Sequence, residues 1–454
     1  MVFSSFEFLF RFLPVFLIVY FLTPKQYRNG VLLFGSLVFY TLGERWYVLL
    51  LLASIVINYT LGRLVSKSRE EKKKVWQNVL FLLALCYNFG CLFFFKYSGL
   101  TEKLPLGISF YTFQIAAYMI DVYRGVIPAE TSFLKLATYI TMFPQLVAGP
   151  IVNYSEVRAN LTKREITYED FEEGLRVLIL GLAAKVIIAD RIGMLWNQIQ
   201  TIGFYSISTP LAWLGAFAYS LELYFDFSGY SMMAIGLGKM LGFQFPVNFH
   251  FPYISKSITE FWRRWHITLG RWFREYVYIP LGGNRKGRTR TLFNLLVVWS
   301  LTALWHGATP NFLIWGAELL LLLGIEKLFL YERLNKSKLI GHLYVILAAP
   351  VTWVAFSITN VKRLWIYYTR MFPFLGKSHG TVMKYDYVKY LGEYGGLFLI
   401  AIMFATPIPL VFYNRMKRKP WTKELLNVIL LLILGLCLYY MAISTNNPFL
   451  YFNF

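Results

Sequence analysis

The sequence predicts an all-α, polytopic membrane bundle of roughly eleven transmembrane helices, with shorter re-entrant or interfacial helices among them. Composition is the first reason: 57% of residues are hydrophobic and 19% aromatic, while 15% are charged, against about 25% in an ordinary soluble protein. Apolar runs near the length of a membrane span recur along the whole chain, which is the second. Third, the basic residues gather in short stretches between those runs rather than along one face. No long polar segment divides the 454 residues, so 1–454 reads as a single domain.

In chain order, the candidate spans lie near 8–22, 31–43, 46–62, 77–95, 106–123, 133–150, 174–190, 210–225, 291–305, 311–331, 340–358, 394–413 and 425–443. The first resembles a signal peptide in length, yet Lys25 and Arg28 follow it instead of preceding it, so it reads as a retained helix. The pair 31–43 and 46–62, and the stretch 210–240, are short or interrupted enough to be broken pieces, tolerated where protein or water surrounds them. Between the spans, Arg63 to Lys74, Arg285 to Arg290 and Arg415 to Lys419 are basic loops. The first and last of these, held on the cytoplasmic side, put both termini outside. Basic residues clustered in short loops in this way argue against nucleic acid as the reason for the net charge of +21. Cys86, Cys91 and Cys437 match no metal or redox spacing and read as packing residues.

Pro246 and Pro252 make 244–254 an irregular loop. It feeds a stretch, 257–279, read as one amphipathic element. There Phe261, Trp262, Trp265, Leu269, Trp272 and Phe273 recur on one face, and Arg264, Thr268, Arg271 and Glu275 on another.

Ionisable groups inside apolar segments mark functional sites by default. His306 ends the run 292–305 just before Gly307 and Pro310, so its imidazole sits at membrane depth beside a helix terminus. A ring that titrates near neutral pH suits a general base. A buried histidine bonded to a backbone carbonyl is the competing reading. His266 sits in the aromatic stripe, suited to substrate orientation or a second proton step, again against a structural role. His250, His342 and His379 lie in or near loops and read as non-catalytic. Glu222 and Asp226 share a helical face, and pairing with Arg263, Arg264 or Arg271 is the economical account of them. Gly236, Gly238 and Gly242 miss the dinucleotide-binding spacing and suit close helix packing. The cluster from Arg285 to Arg290 is either a topology signal or a contact for an anionic carrier. Near the C-terminus, Tyr451 is either an interfacial anchor or a nucleophile that accepts an acyl group as a covalent relay. What remains is proton transfer by histidine, without a metal or tightly bound cofactor.

Gln145-Leu-Val-Ala-Gly-Pro150, Asp226-Phe-Ser-Gly-Tyr-Ser231, Phe261-Trp-Arg-Arg-Trp-His-Ile267, Tyr278-Ile-Pro-Leu-Gly-Gly-Asn-Arg285 and Leu304-Trp-His-Gly-Ala308 together resemble the membrane-bound O-acyltransferase family, in its alginate and peptidoglycan O-acetyltransferase branch. These motifs span a core of 145–310. The resemblance implies a helix bundle around a central tunnel, with His306 as the principal catalytic residue and His266 beside it. It also implies an acyl thioester donor (acetyl-CoA or an acyl carrier protein), a polysaccharide acceptor, an exported esterase-like O-acyltransferase as partner, and a place among the lipids of a bacterial plasma (inner) membrane. The terminal aromatic stretch is similar to a motif of this branch and of the teichoic acid D-alanylation system, which strengthens the relay reading of Tyr451. One departure is Met232, where the branch commonly has Asp. Two alternatives are D-alanyl transfer to teichoic acid and transport of a sugar or lipid, though transporters usually carry internal repeats and none is evident.

Overall fold

The computed structural model describes residues 2–100, 104–376, 382–416, 420–444 and 449–450; Tyr451 and His379 lie outside the described residues. Every regular element among the described residues is helical. Among the described residues, four helices are long and apolar enough to cross a membrane: Tyr47–Glu70, Lys74–Tyr97, Lys338–Ser357 and Glu424–Ile443. A fifth span is obtained if Asp386–Phe404 and Ile408–Met416, bent by 66°, count as one. Further helices, such as Ile108–Arg124, are shorter or carry polar residues toward protein rather than lipid.

Two expected interruptions are absent and one appears where a single span was expected. The stretch 46–62 is part of the uninterrupted 24-residue helix Tyr47–Glu70. The stretch 210–240 is one helix of 32 residues, Thr209–Met240. By contrast, 133–150 divides into Phe133–Thr141 and the short turn Phe143–Leu146, because Pro144 cannot donate a backbone hydrogen bond within a continuous helix.

The chain forms two compact units. One comprises Met1–Gly181, Tyr230–Val247 and Arg271–Tyr276; the other Leu182–Gly229, Asn248–Gly270 and Val277–Phe454. In the first, Tyr47–Glu70 and Lys74–Tyr97 are joined by reciprocal amide bonds: Asn58 Nδ2 donates to Asn88 Oδ1 at 3.1 Å, and Asn88 Nδ2 to Asn58 Oδ1 at 2.7 Å. Such bonds between apolar helices contribute about 0.6 kcal/mol each and fix register. The glycines expected to serve close packing do so: a Cβ on Gly236 would lie 2.5 Å from the Gly174 carbonyl oxygen, so the two backbones touch. In the second unit, Gly287–His306 packs on Pro310–Ile325, which packs on Lys338–Ser357. A Cβ on Gly316 would meet Ala303 Cβ at 2.9 Å, and this close approach draws the aromatic side chains of the second unit together.

Candidate active site

Within the second unit, His306 is the last residue of Gly287–His306 and is 4% exposed. Gly307 follows it because nothing larger fits: a Cβ there would lie 2.3 Å from the Phe312 ring. Four rings surround the imidazole, with centroids at 4.8 Å (Trp305), 4.9 Å (Trp315), 5.1 Å (Phe356) and 6.0 Å (Phe312). One of those rings is tied down by Asn311, fully buried, whose Nδ2 donates to the Ala355 and Phe356 carbonyls at 3.1 and 2.9 Å. That bond pair pins the end of Lys338–Ser357, and so the Phe356 ring, against His306.

The expected single element at 257–279 is interrupted at His266. Ile258–Arg264 and Ile267–Phe273 are separate helices, and His266 between them takes a left-handed φ of 44°. A non-glycine residue in that region costs of order 1 kcal/mol or more and persists only where its surroundings dictate it. Here the dictating partner is Asn248. Its carbonyl accepts from the Ile267 backbone N–H at 2.9 Å, and its side-chain Oδ1 accepts from the Thr268 N–H at 3.3 Å and the Thr268 hydroxyl at 2.9 Å.

The same Asn248 Oδ1 lies 3.2 Å from His266 Nδ1. A backbone N–H only donates, so the amide atom facing Thr268 is oxygen, and an amide oxygen only accepts. Nδ1 of His266 therefore carries the proton, and in the neutral ring Nε2 keeps its lone pair. Phe227 meets the ring edge-on at 4.7 Å.

His266 and His306 line one cavity with Leu223, Trp262, Trp265, Leu269, Trp315, Trp353 and Phe356. Its volume is about 10 Å³, room for roughly one water. The walls are indoles packed mainly edge to face: Trp262 lies 4.9 Å from Trp299 and 5.7 Å from Trp315, and Trp265 lies 4.7 Å from Trp353. Each such contact contributes about 0.5–1.5 kcal/mol beyond area. A second cavity of about 290 Å³ lies near the other end of Gly287–His306, among Asn284, Arg288, Thr291 and Lys327.

The arginine partners expected for the helical carboxylates are not the ones found. Arg264 pairs with Glu260 at 2.8 Å, and in the first unit Arg271 pairs with Glu156 at 2.6 Å. Asp226 instead pairs with Lys185 at 2.6 Å, and Lys185 also meets Asp190 at 2.6 Å. Glu222 packs over Gly193, where a Cβ would lie 2.2 Å from its Oε1. His342 Nδ1 lies 3.2 Å from the Ser255 carbonyl, and His250 Nδ1 lies 3.2 Å from Arg264 Nη1.

Asn248, Asn311 and Lys185 have no place in the sequence reading. A lone polar residue in a loop carries no spacing signal; Lys185, a lysine inside an apolar helix, was the one detectable cue.

Comparison with known proteins identifies the family. The membrane-bound O-acyltransferase family model matches residues 78–367. The probable alginate O-acetylase of Pseudomonas putida is 35% identical over 100% of both chains. The peptidoglycan O-acetyltransferase of Helicobacter pylori is 30% identical over 100% of this chain and 98% of that one. A teichoic acid D-alanyltransferase of Bacillus subtilis is 30% identical over 51% of this chain and 60% of its own. An all-helical chain with apolar spans, matched across its histidine-bearing core and along its whole length, belongs to the membrane-bound O-acyltransferase family and is an O-acyltransferase.

Proposed function

We propose that this enzyme moves an acetyl group from a thioester on the cytoplasmic side, acetyl-CoA or an acyl carrier protein, across the bacterial inner membrane for O-acylation of an exported cell-surface polysaccharide. The observation that carries the reading is the shared cavity: two buried imidazoles, one with its tautomer set by Asn248, face the same enclosed space. Full-length similarity to an alginate O-acetylase and a peptidoglycan O-acetyltransferase supports acetyl and polysaccharide over D-alanyl and teichoic acid, whose relative aligns with only 51% of this chain.

In this reading His306 takes the proton from the attacking hydroxyl, the new C–O bond forms at the thioester carbonyl, the C–S bond breaks, and the proton passes to the departing sulfur. His266 presents Nε2 to the same reacting groups and orients them. The indole walls exclude water that would hydrolyse the thioester. With room for roughly one water at rest, the site admits substrate only when aromatic side chains rotate, opening a tunnel toward each face. An exported esterase-like O-acyltransferase then places the group on the polymer, and the immediate acceptor is Tyr451 or a hydroxyl entering from outside. Residues 1–454 act as one domain with both termini outside.

His306→Ala tests the assignment. The variant should insert at normal levels and lose acyl transfer by about 100-fold or more. Retained transfer at normal expression removes His306 from the role.

A further inference from the structure

We propose that Lys185 and Asp226 form a latch that seats the C-terminal segment Phe449–Leu450 beside His266, which makes that segment a positioning part of the acyl-transfer site. The proposal rests on the acyl-transfer reading above for its consequence, and on geometry alone for the latch.

Lys185 is buried at 3% exposure in the π-helical stretch Ala184–Ala189, a local widening that often accompanies functional positions. Asp190, five residues on, already supplies it with a counter-ion at 2.6 Å. Yet Asp226, 1% exposed, adds a second carboxylate at the same distance. A lysine with two carboxylates leaves one negative charge in excess, which is costly to bury unless something donates to it. The donor is the Leu450 backbone N–H, 3.0 Å from Asp226 Oδ2. A second carboxylate is superfluous for neutralising Lys185 and is explained by holding the tail.

The neighbouring contacts carry this seat to the site. Phe449, 3% exposed, has its ring 5.8 Å from that of Phe227, the residue after Asp226. Phe227 is the ring that meets His266 edge-on at 4.7 Å. Further back, the helix Pro420–Ile443 packs on Ala184–Ala189, and the Arg191 guanidinium sits 4.7 Å over the Tyr440 ring. Tail, latch and imidazole therefore share one ring.

The test uses the full-length protein in lipid nanodiscs with two readouts: the rate at which a carboxypeptidase trims the C-terminus, and CoA release from acetyl-CoA. Leu450→Pro removes the N–H together with the Leu side chain, and Leu450→Ala controls for the side chain. Asp226→Ala removes the acceptor and leaves Lys185 and Asp190 as a neutral pair, so it should still fold. Both should be trimmed about 10-fold faster and show kcat lowered about 10-fold with KM for acetyl-CoA nearly unchanged, as expected for loss of a hydrogen bond to a charged group. Leu450→Ala keeps the N–H and should stay within about threefold of wild type on both readouts. Unchanged trimming in Leu450→Pro and Asp226→Ala overturns the latch. Faster trimming with unchanged kcat overturns the positioning role, and Leu450→Ala behaving like Leu450→Pro overturns the hydrogen bond as the holding contact. Equal CoA release by wild type and His306→Ala defeats the acyl-transfer reading instead, while trimming still decides the latch.

Discussion

Asn248 fixes which nitrogen of His266 carries the proton, because one amide oxygen collects both the Thr268 donors and the imidazole Nδ1–H. Asn248→Leu removes the acceptor and frees the tautomer, and acyl transfer should fall by about 10-fold or more with insertion intact, read as kcat on reconstituted protein. Gly307 offers a graded version of the same experiment beside His306. Gly307→Ala puts a methyl into the buried Phe312 ring, and Gly307→Val more, so activity should fall in that order while thermal unfolding shifts by about 1–3 kcal/mol. Both histidines were legible in the sequence because aromatic flanks and a helix end mark them. Their supports were not, since Asn248 and Asn311 act through backbone groups distant in sequence. The partner of Asp226 was misassigned for a related reason: charge and proximity in sequence suggested arginines that turn out to be satisfied by Glu260 and Glu156.

The elements that carry the site owe their placement to a few terminal contacts. Glu326 accepts from the backbone N–H groups of Ile258 and Thr259 and from the Thr259 hydroxyl, so a carboxylate caps the helix that delivers Trp265 and His266. That arrangement suits the positive end of a helix dipole. Glu326→Leu should lower the unfolding free energy by about 1–3 kcal/mol, measured as a fall in Tm, whereas Glu326→Gln, which still accepts, should lose less. Amphipathic periodicity marked both helices of 257–279 correctly but could not show the break between them, because the left-handed turn at His266 is imposed by Asn248 from outside the segment. Conversely, the break considered within 210–240 is absent: the helix runs through, and its Gly236 meets the Gly174 backbone.

At the scale of the molecule, the all-helical class was readable from composition alone, and the count of spans was not. Hydropathy finds helices that face lipid, but interior ones such as Ile108–Arg124 bury polar residues including Gln114 and Asp121 and look less apolar than they function. The basic loops make a definite expectation about orientation. A cysteine introduced near Lys72, in a version lacking Cys86, Cys91 and Cys437, should react with a membrane-impermeant maleimide only from the cytoplasmic side. Labelling from outside would invert the whole topology. The indole walls of the histidine cavity carry one more consequence. Trp262, Trp265, Trp315 and Trp353 make the enzyme its own optical reporter, since any thioester displacing them must change the emission of four of the chain's 13 tryptophans. Occupancy can thus be followed in real time by intrinsic fluorescence, with no dye attached.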